Sequence, residues 1–347
     1  MIKPEKQFFI FGMGNREKFI YKEGGQLIKF DTNEVVMSFD VEKETFIFDR
    51  YTVIIYTKDK KEYQIYENSY GVYLLDNDTR EGRCFTCSDY INLPEFNEYK
   101  YPKQLRILHH EILVSFLGDD PVPNIYVYKK PWYRDAAMMA MCLEKTKNLH
   151  LMRNWALNVT ELYDRNNAGN CEPDNLGQLA FILSYFVEKT YYPFMYDLRY
   201  EADRIMENGL LTGLTDFSHH EIYSTLWLKL AYERLGIDTK DIKIPKEFDS
   251  YARMFWMDKK EVEVDTPYNN EYDEKYPYLS WARYHFNGDE IDEKLLEIKY
   301  PMSWEIDASQ AIYENIAPLS QNYADNKCAA PHSWHAAEMF LYLIEIK

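Results

Sequence analysis

The chain has no apolar run approaching the ~18 residues of a membrane-crossing helix. Its opening stretch, MIKPEKQFFIFGMGNREKF, holds a run of only six apolar-leaning residues before polar ones resume. That is too short for the apolar segment of a secretory signal, so a water-soluble, cytoplasmic protein without a membrane partner is expected. Cysteine is also scarce: Cys84, Cys87, Cys142, Cys171 and Cys328 are odd in number and scattered. They make no disulfide framework, and reduced thiols are expected. Cys84 and Cys87 form a single CxxC without the second half that a four-ligand zinc site needs. Positive charge is in deficit, with 40 Lys and Arg against 57 Asp and Glu, a net of −17. Such a balance repels nucleic acid at long range and argues against it as a partner. After Gly12-Met13-Gly14 the third glycine of a dinucleotide fingerprint is missing, and the next segment has strand character.

Aromatics, by contrast, are plentiful: 31 Tyr, 19 Phe and 7 Trp, many beside polar residues. Sugar-binding clefts share this composition, as do ordinary tyrosine-rich cores and interfaces. With 347 residues, one large or two ordinary domains can each bury a substantial core. From residue 7 to about 90 the segments FFIFGM, KFIYK, QLIKF, EVVMSFD, TFIFD, YTVIIYT, EYQIYE and YGVYLL are short, β-branched or aromatic, and separated by turn residues. They predict an antiparallel, sandwich-like β domain over residues 1–100. Beyond NLPEFNEYKYPKQ the period becomes helical, predicting a second domain over residues 101–347.

In that second part the pattern predicts helices near 104–117, 133–146, 149–163, 175–189, 194–207, 219–235, 247–257, 277–287, 290–298, 305–316 and 333–346. The second, fourth, sixth and last are apolar around most of their circumference, which predicts burial and an inner ring surrounded by more charged helices. The inner helices open on polar and aromatic clusters: Trp132-Tyr133-Arg134-Asp135, Glu172-Pro173-Asp174-Asn175, Thr215 to His220, and Pro331-His332-Ser333-Trp334-His335. Similar clusters stand at Tyr276-Pro277-Tyr278 and Ser303-Trp304-Glu305. Helix capping explains the Asp, Ser and Asn at any one start. It does not require the Trp and His beside them.

The arrangement resembles the six-hairpin, (α/α)6-toroid glycosidases, the group of glucoamylases, trehalases and glycogen-debranching glucosidases. The resemblance covers residues from about 104 to 347, and implies a mainly α fold, an (α/α)6 toroid preceded by a β-sandwich-like domain. PWYRDAAMMAMCLEKTKN is similar to the W-x-RD-x-x-M segment of that group, which implies that Arg134 and Asp135 bind sugar hydroxyls while Trp132 or Tyr133 offers an apolar face. LTDFSHHEIYSTLW resembles the trehalase segment holding the general acid, which implies Asp216 in that role. In the family the base precedes the Trp of the last helix. Where trehalases have Glu, this chain has Asp325 at comparable spacing, with Glu305 or Glu314 as alternatives.

The function implied is hydrolysis of a short oligosaccharide with inversion, one carboxyl protonating the leaving oxygen while another activates water. Glu172 and Asp174 are further carboxylates for substrate binding or for the pair, and His220, His332, Trp334 and His335 are expected substrate contacts. No cofactor is required. Neither His219-His220-Glu221 nor His332-x-x-His335 completes a metal set, so hydrogen bonding or core packing is the expected use of those histidines. The alternatives are another sugar-active enzyme on the same scaffold or a non-catalytic carbohydrate-binding protein. An epimerase or isomerase would use His, an unsaturated-uronide hydrolase would use Asp135 itself, and a phosphorylase would need a basic pocket. Nothing in the sequence sets an oligomeric state.

Overall fold

The computed structural model describes residues 2–188, 192–245 and 293–346. The strand-rich segment forms two antiparallel meanders. β1 (Phe8–Phe11), β2 (Phe19–Lys22), β3 (Gln26–Lys29) and β4 (Val35–Ser38) make a four-stranded sheet. β5 (Val41–Ile47), β6 (Thr52–Thr57), β7 (Glu62–Glu67), β8 (Gly71–Asp76) and β9 (Gly82–Cys87) make a five-stranded one. Within each sheet neighbours in sequence are neighbours in space, because the connections are short turns. The β2–β3 turn uses Gly24 and Gly25 at φ of 96° and 87°; at Gly25 a Cβ would also stand 2.4 Å from the Phe39 carbonyl oxygen. Cys84 and Cys87 are disulfide-bonded on β9, which corrects the expectation of free thiols there.

Charge joins the two sheets in their interior. Glu67, at the end of β7, accepts from the backbone N–H groups of Gly12 at 2.7 Å and Met13 at 2.6 Å, and from Arg16 Nη1 at 2.9 Å. The Glu67 and Arg16 side chains are both fully buried. Burial raises the Glu67 pKa, against the pull of Arg16 and the two N–H groups. The adjacent Lys18 is also buried and is pushed down to about 7, with Glu67 opposing the shift.

The helical part packs directly on β1, all four residues of which are buried. Phe9 stacks on His110 of α1 (Pro102–Val114) with ring centroids 4.5 Å apart. His109 and His110 are wholly buried in α1, and burial pushes both pKa values down to about 3, so they sit in the core as neutral rings. The other helices are α2 (Tyr133–Lys145), α3 (His150–Asn158), α4 (Asp174–Leu183), α5 (Pro193–Ile205), α6 (Glu221–Arg234), α7 (Gln321–Asp325) and α8 (Ser333–Glu345).

This architecture overturns the expected toroid and with it the resemblance to the six-hairpin glycosidases. Among the described residues there are eight α-helices, and they form no (α/α)6 ring. The buried helices pack in the row α1, α8, α2, α4, α6. An apolar circumference predicts burial, but crossing angles and the shapes of facing ridges decide whether buried helices close into a ring. One segment read as helix, 305–316, is also corrected. Residues Glu305–Ile306 form β10, paired with β11 (Cys328–Ala329), and a 3-10 turn spans Tyr313–Ile316. Asp307 and Gln310 between them have φ of 55° and 66°, which an α-helix does not accommodate. α7, which the sequence pattern did not show, is capped by Ser320, whose side chain accepts from the Tyr323 N–H. Residues 247–257 and 277–287, also read as helices, lie outside the described residues. No helix among the described residues is long and apolar enough to cross a membrane.

α4 and α6 approach closely at Gly177, where a Cβ would lie 2.4 Å from the Leu228 nitrogen and 2.7 Å from the Trp227 Cβ. Gly177→Ala is therefore expected to destabilise the fold by about 1–3 kcal/mol, although alanine is the better helix former. Urea denaturation measures this; equal or greater stability would show that the two backbones can separate without loss.

Candidate functional site

The polar clusters that open α2, α4, α6 and α8 do not cap those helices. The N-cap positions are Trp132, Pro173, His220 and His332, and none makes a side-chain capping bond. Their polar neighbours instead bond to one another across helices, with Arg134 at the centre. Arg134 is almost completely buried in the first turn of α2 and forms a two-bond fork with Asp216: Nη1 to Oδ2 at 2.9 Å and Nη2 to Oδ1 at 3.1 Å. Asp174, at the start of α4, lies 3.7 Å from the same guanidinium. The guanidinium is also flanked by two indoles, with its carbon 5.4 Å from the Trp132 ring centre and 5.1 Å from that of Trp334. Both tryptophans are half-buried.

Asp216 reaches Arg134 from a tight turn in which Asp216 and Phe217 adopt φ of 49° and 65°, conformations unfavourable for side chains with a Cβ. Thr215 and Ser218 close the turn through two backbone bonds. Glu172 fastens it from below, accepting the Asp216 N–H at 2.7 Å and the Asn167 side-chain amide at 3.0 Å. Asp174 accepts from Gln178 at 2.8 Å.

Several carboxyls therefore share one buried cation. Burial raises Asp174 to about 7, opposed by Arg134 and reinforced by Glu172 and Asp216. Burial likewise raises Glu172 and Asp164, each opposed by Arg134. Asp135, on the next residue of α2, is raised to about 6 by burial, with His332 and Arg134 pulling it down and Glu305 pushing it up. Its Oδ1 accepts from the Ser333 hydroxyl at 3.1 Å.

A second group adjoins Asp135. His332 Nε2 meets Glu305 Oε2 at 2.7 Å. Burial lowers the His332 pKa, but the charge and hydrogen bond of Glu305, with the charge of Asp135, outweigh it and leave the ring raised. His335 lies alongside with ring centroids 4.7 Å apart, and its Nδ1 is 3.5 Å from Glu338. Burial and the charge of His332 hold His335 far below its usual pKa. Glu305, His332 and His335 place one potential ligand atom each within 4.8 Å of one another, so the described residues do bring together a His-His-Glu set that spacing alone left incomplete.

The supports of this group are buried in α1. Glu111 accepts from the backbone N–H groups of Met302 at 2.5 Å and Ser303 at 2.9 Å, and from the Ser303 hydroxyl. Ser303 Oγ in turn accepts the His332 N–H at 3.0 Å. Pairing of Glu305 with Ala329 completes the frame, because Ala329 stands three residues before His332.

The other expected site residues make contacts of their own. Tyr133 turns away, its hydroxyl bonding to the Glu161 carbonyl, and lines a cleft of about 630 Å³ with Trp155 and Asp164. His220 precedes α6 and uses its carbonyl to accept from Ser224. Asp325 is exposed on α7, bonded to Gln321, and with Glu314 lines a different cavity of about 460 Å³. Sequence reasoning missed Ser333, Glu111, Asn167 and Glu338 as functional supports. Two of these left a signal: Glu111 is a charge inside the apolar run LRILHHEILVSFL, and Glu338 stands one helical turn after His335.

Compared with known proteins, the chain matches no family model, no curated protein and no solved structure.

Proposed function

We propose that the chain is a carbohydrate-active hydrolase that cleaves a glycosidic bond in a short oligosaccharide, working from the geometry around Arg134. The observation that carries this reading is the juxtaposition of Asp135 and Glu305 in unlike surroundings. Asp135 is buried and, with its pKa near 6, holds a proton into the range where enzymes work. Glu305 keeps about a fifth of its side chain open to solvent and bonds to His332. In the proposed reaction the Asp135 carboxyl gives its proton to the leaving oxygen as the glycosidic C–O bond breaks. Water attacks the sugar carbon and gives its proton to Glu305.

Asp216 is given a different task. Both its oxygens accept from Arg134, so it serves as an acceptor for sugar hydroxyls together with the donating guanidinium. Trp132 and Trp334 supply apolar surface for a sugar ring.

The test is release of reducing sugar from a panel of short oligosaccharides that differ in linkage and terminal residue, alongside tryptophan fluorescence as a measure of binding. Turnover of at least one linkage, with quenching by the same sugar, is expected. Quenching without turnover across the panel would replace the hydrolase with a non-catalytic carbohydrate-binding protein, and neither signal would sink both.

A further inference from the structure

We infer that Glu305, His332 and His335 form a binding site for a divalent transition metal of the zinc type. This goes beyond the hydrolase reading and does not depend on it. Two imidazoles and one carboxylate are a donor set suited to such ions. The described residues place one donor atom from each within 4.8 Å of the others. Donors about 2.1 Å from a tetrahedral ion stand about 3.4 Å apart. The His332–Glu305 separation of 2.7 Å therefore has to open slightly and the widest separation has to close, both within the reach of side-chain rotation.

Two features favour a built site over a chance cluster. His332 and His335 are both almost fully buried and one helical turn apart at the start of α8, so they face the same way. Glu338 meets His335 at Nδ1, the carboxylate-to-imidazole pairing that orients a metal-binding ring and presents its Nε2 as the ligand. The His332 backbone is fixed through Ser303 and Glu111, and Glu305 through the β10–β11 pair. Three protein ligands leave a fourth position open to water, beside Asp135.

The experiment is titration of the chelator-treated full chain with zinc followed by calorimetry, and with cobalt followed by visible absorption. A single ion per chain is expected, with the cobalt spectrum of a four- or five-coordinate site. His335→Ala and Glu305→Gln should each weaken binding at least about tenfold, and Glu338→Gln by about tenfold or more. His219→Ala, at the exposed His219–Glu221 pair, should leave it unchanged. Absence of a one-to-one complex in the unaltered protein overturns the proposal whether or not the variants fold. So does binding that survives His335→Ala and Glu305→Gln, or that disappears with His219→Ala. Because no substrate is involved, failure here leaves the oligosaccharide result standing, and the reverse.

Discussion

Asp135→Asn is expected to lower turnover of a responsive oligosaccharide by about 10²- to 10⁴-fold while binding of the sugar and the circular-dichroism spectrum are retained. Asparagine matches the shape of the carboxyl and still accepts from Ser333, but has no proton to give. Activity of the unaltered protein should decline as pH rises through about 6, where Asp135 loses its proton, among the charges of His332, Arg134 and Glu305 that face it. That descending limb should vanish in the residual activity of the variant. A loss below tenfold, or an unchanged limb, would remove Asp135 from the role of acid.

The stability of the same variant checks the environment independently of catalysis. A carboxyl whose folded pKa is raised takes up protons on folding, so its contribution is favourable at low pH and is lost as pH rises from its ordinary value near 3.8 to about 6. Asparagine has no such dependence. Relative to the unaltered protein, the variant should gain stability across that interval, as urea denaturation at a series of pH values would show.

Glu67→Ala should have the largest effect on the fold, a loss of about 3–5 kcal/mol. It removes the acceptor of two backbone N–H groups and strands Arg16 beside Lys18, two buried cations that share this one buried carboxylate. Glu67→Gln keeps an oxygen for the Gly12 and Met13 amides and is expected to lose less. A loss under about 1 kcal/mol for alanine would mean that water or another anion replaces the carboxylate at the junction of the two sheets.

Much of the local structure was legible. Short β-branched or aromatic segments separated by turn residues marked the strands, since composition and turn chemistry are properties of short stretches. α2, α4, α6 and α8 announced their burial through apolar residues on every side. The site was partly legible too, because Trp and His beside Asp are not needed for capping, and Trp132, Arg134, Asp216 and Trp334 do meet. What misled was order along the chain. Alternation of buried and charged helices suggested a ring, and 305–316 was read as one of its members, although its residues at positive φ and the pairing with Cys328–Ala329 set a different backbone.

By itself, then, the sequence determined most of the extended and helical segments and the burial of four of the helices, because those properties depend on neighbours a few residues apart. Tertiary structure decided that the helices form an open row among the described residues, that Asp216 grips Arg134 across 82 positions, and that a carboxylate on β10 meets two histidines at the start of α8. Those outcomes depend on helix crossing and on the ionisation of groups brought together by the fold, and both are set by contacts between residues far apart in the chain.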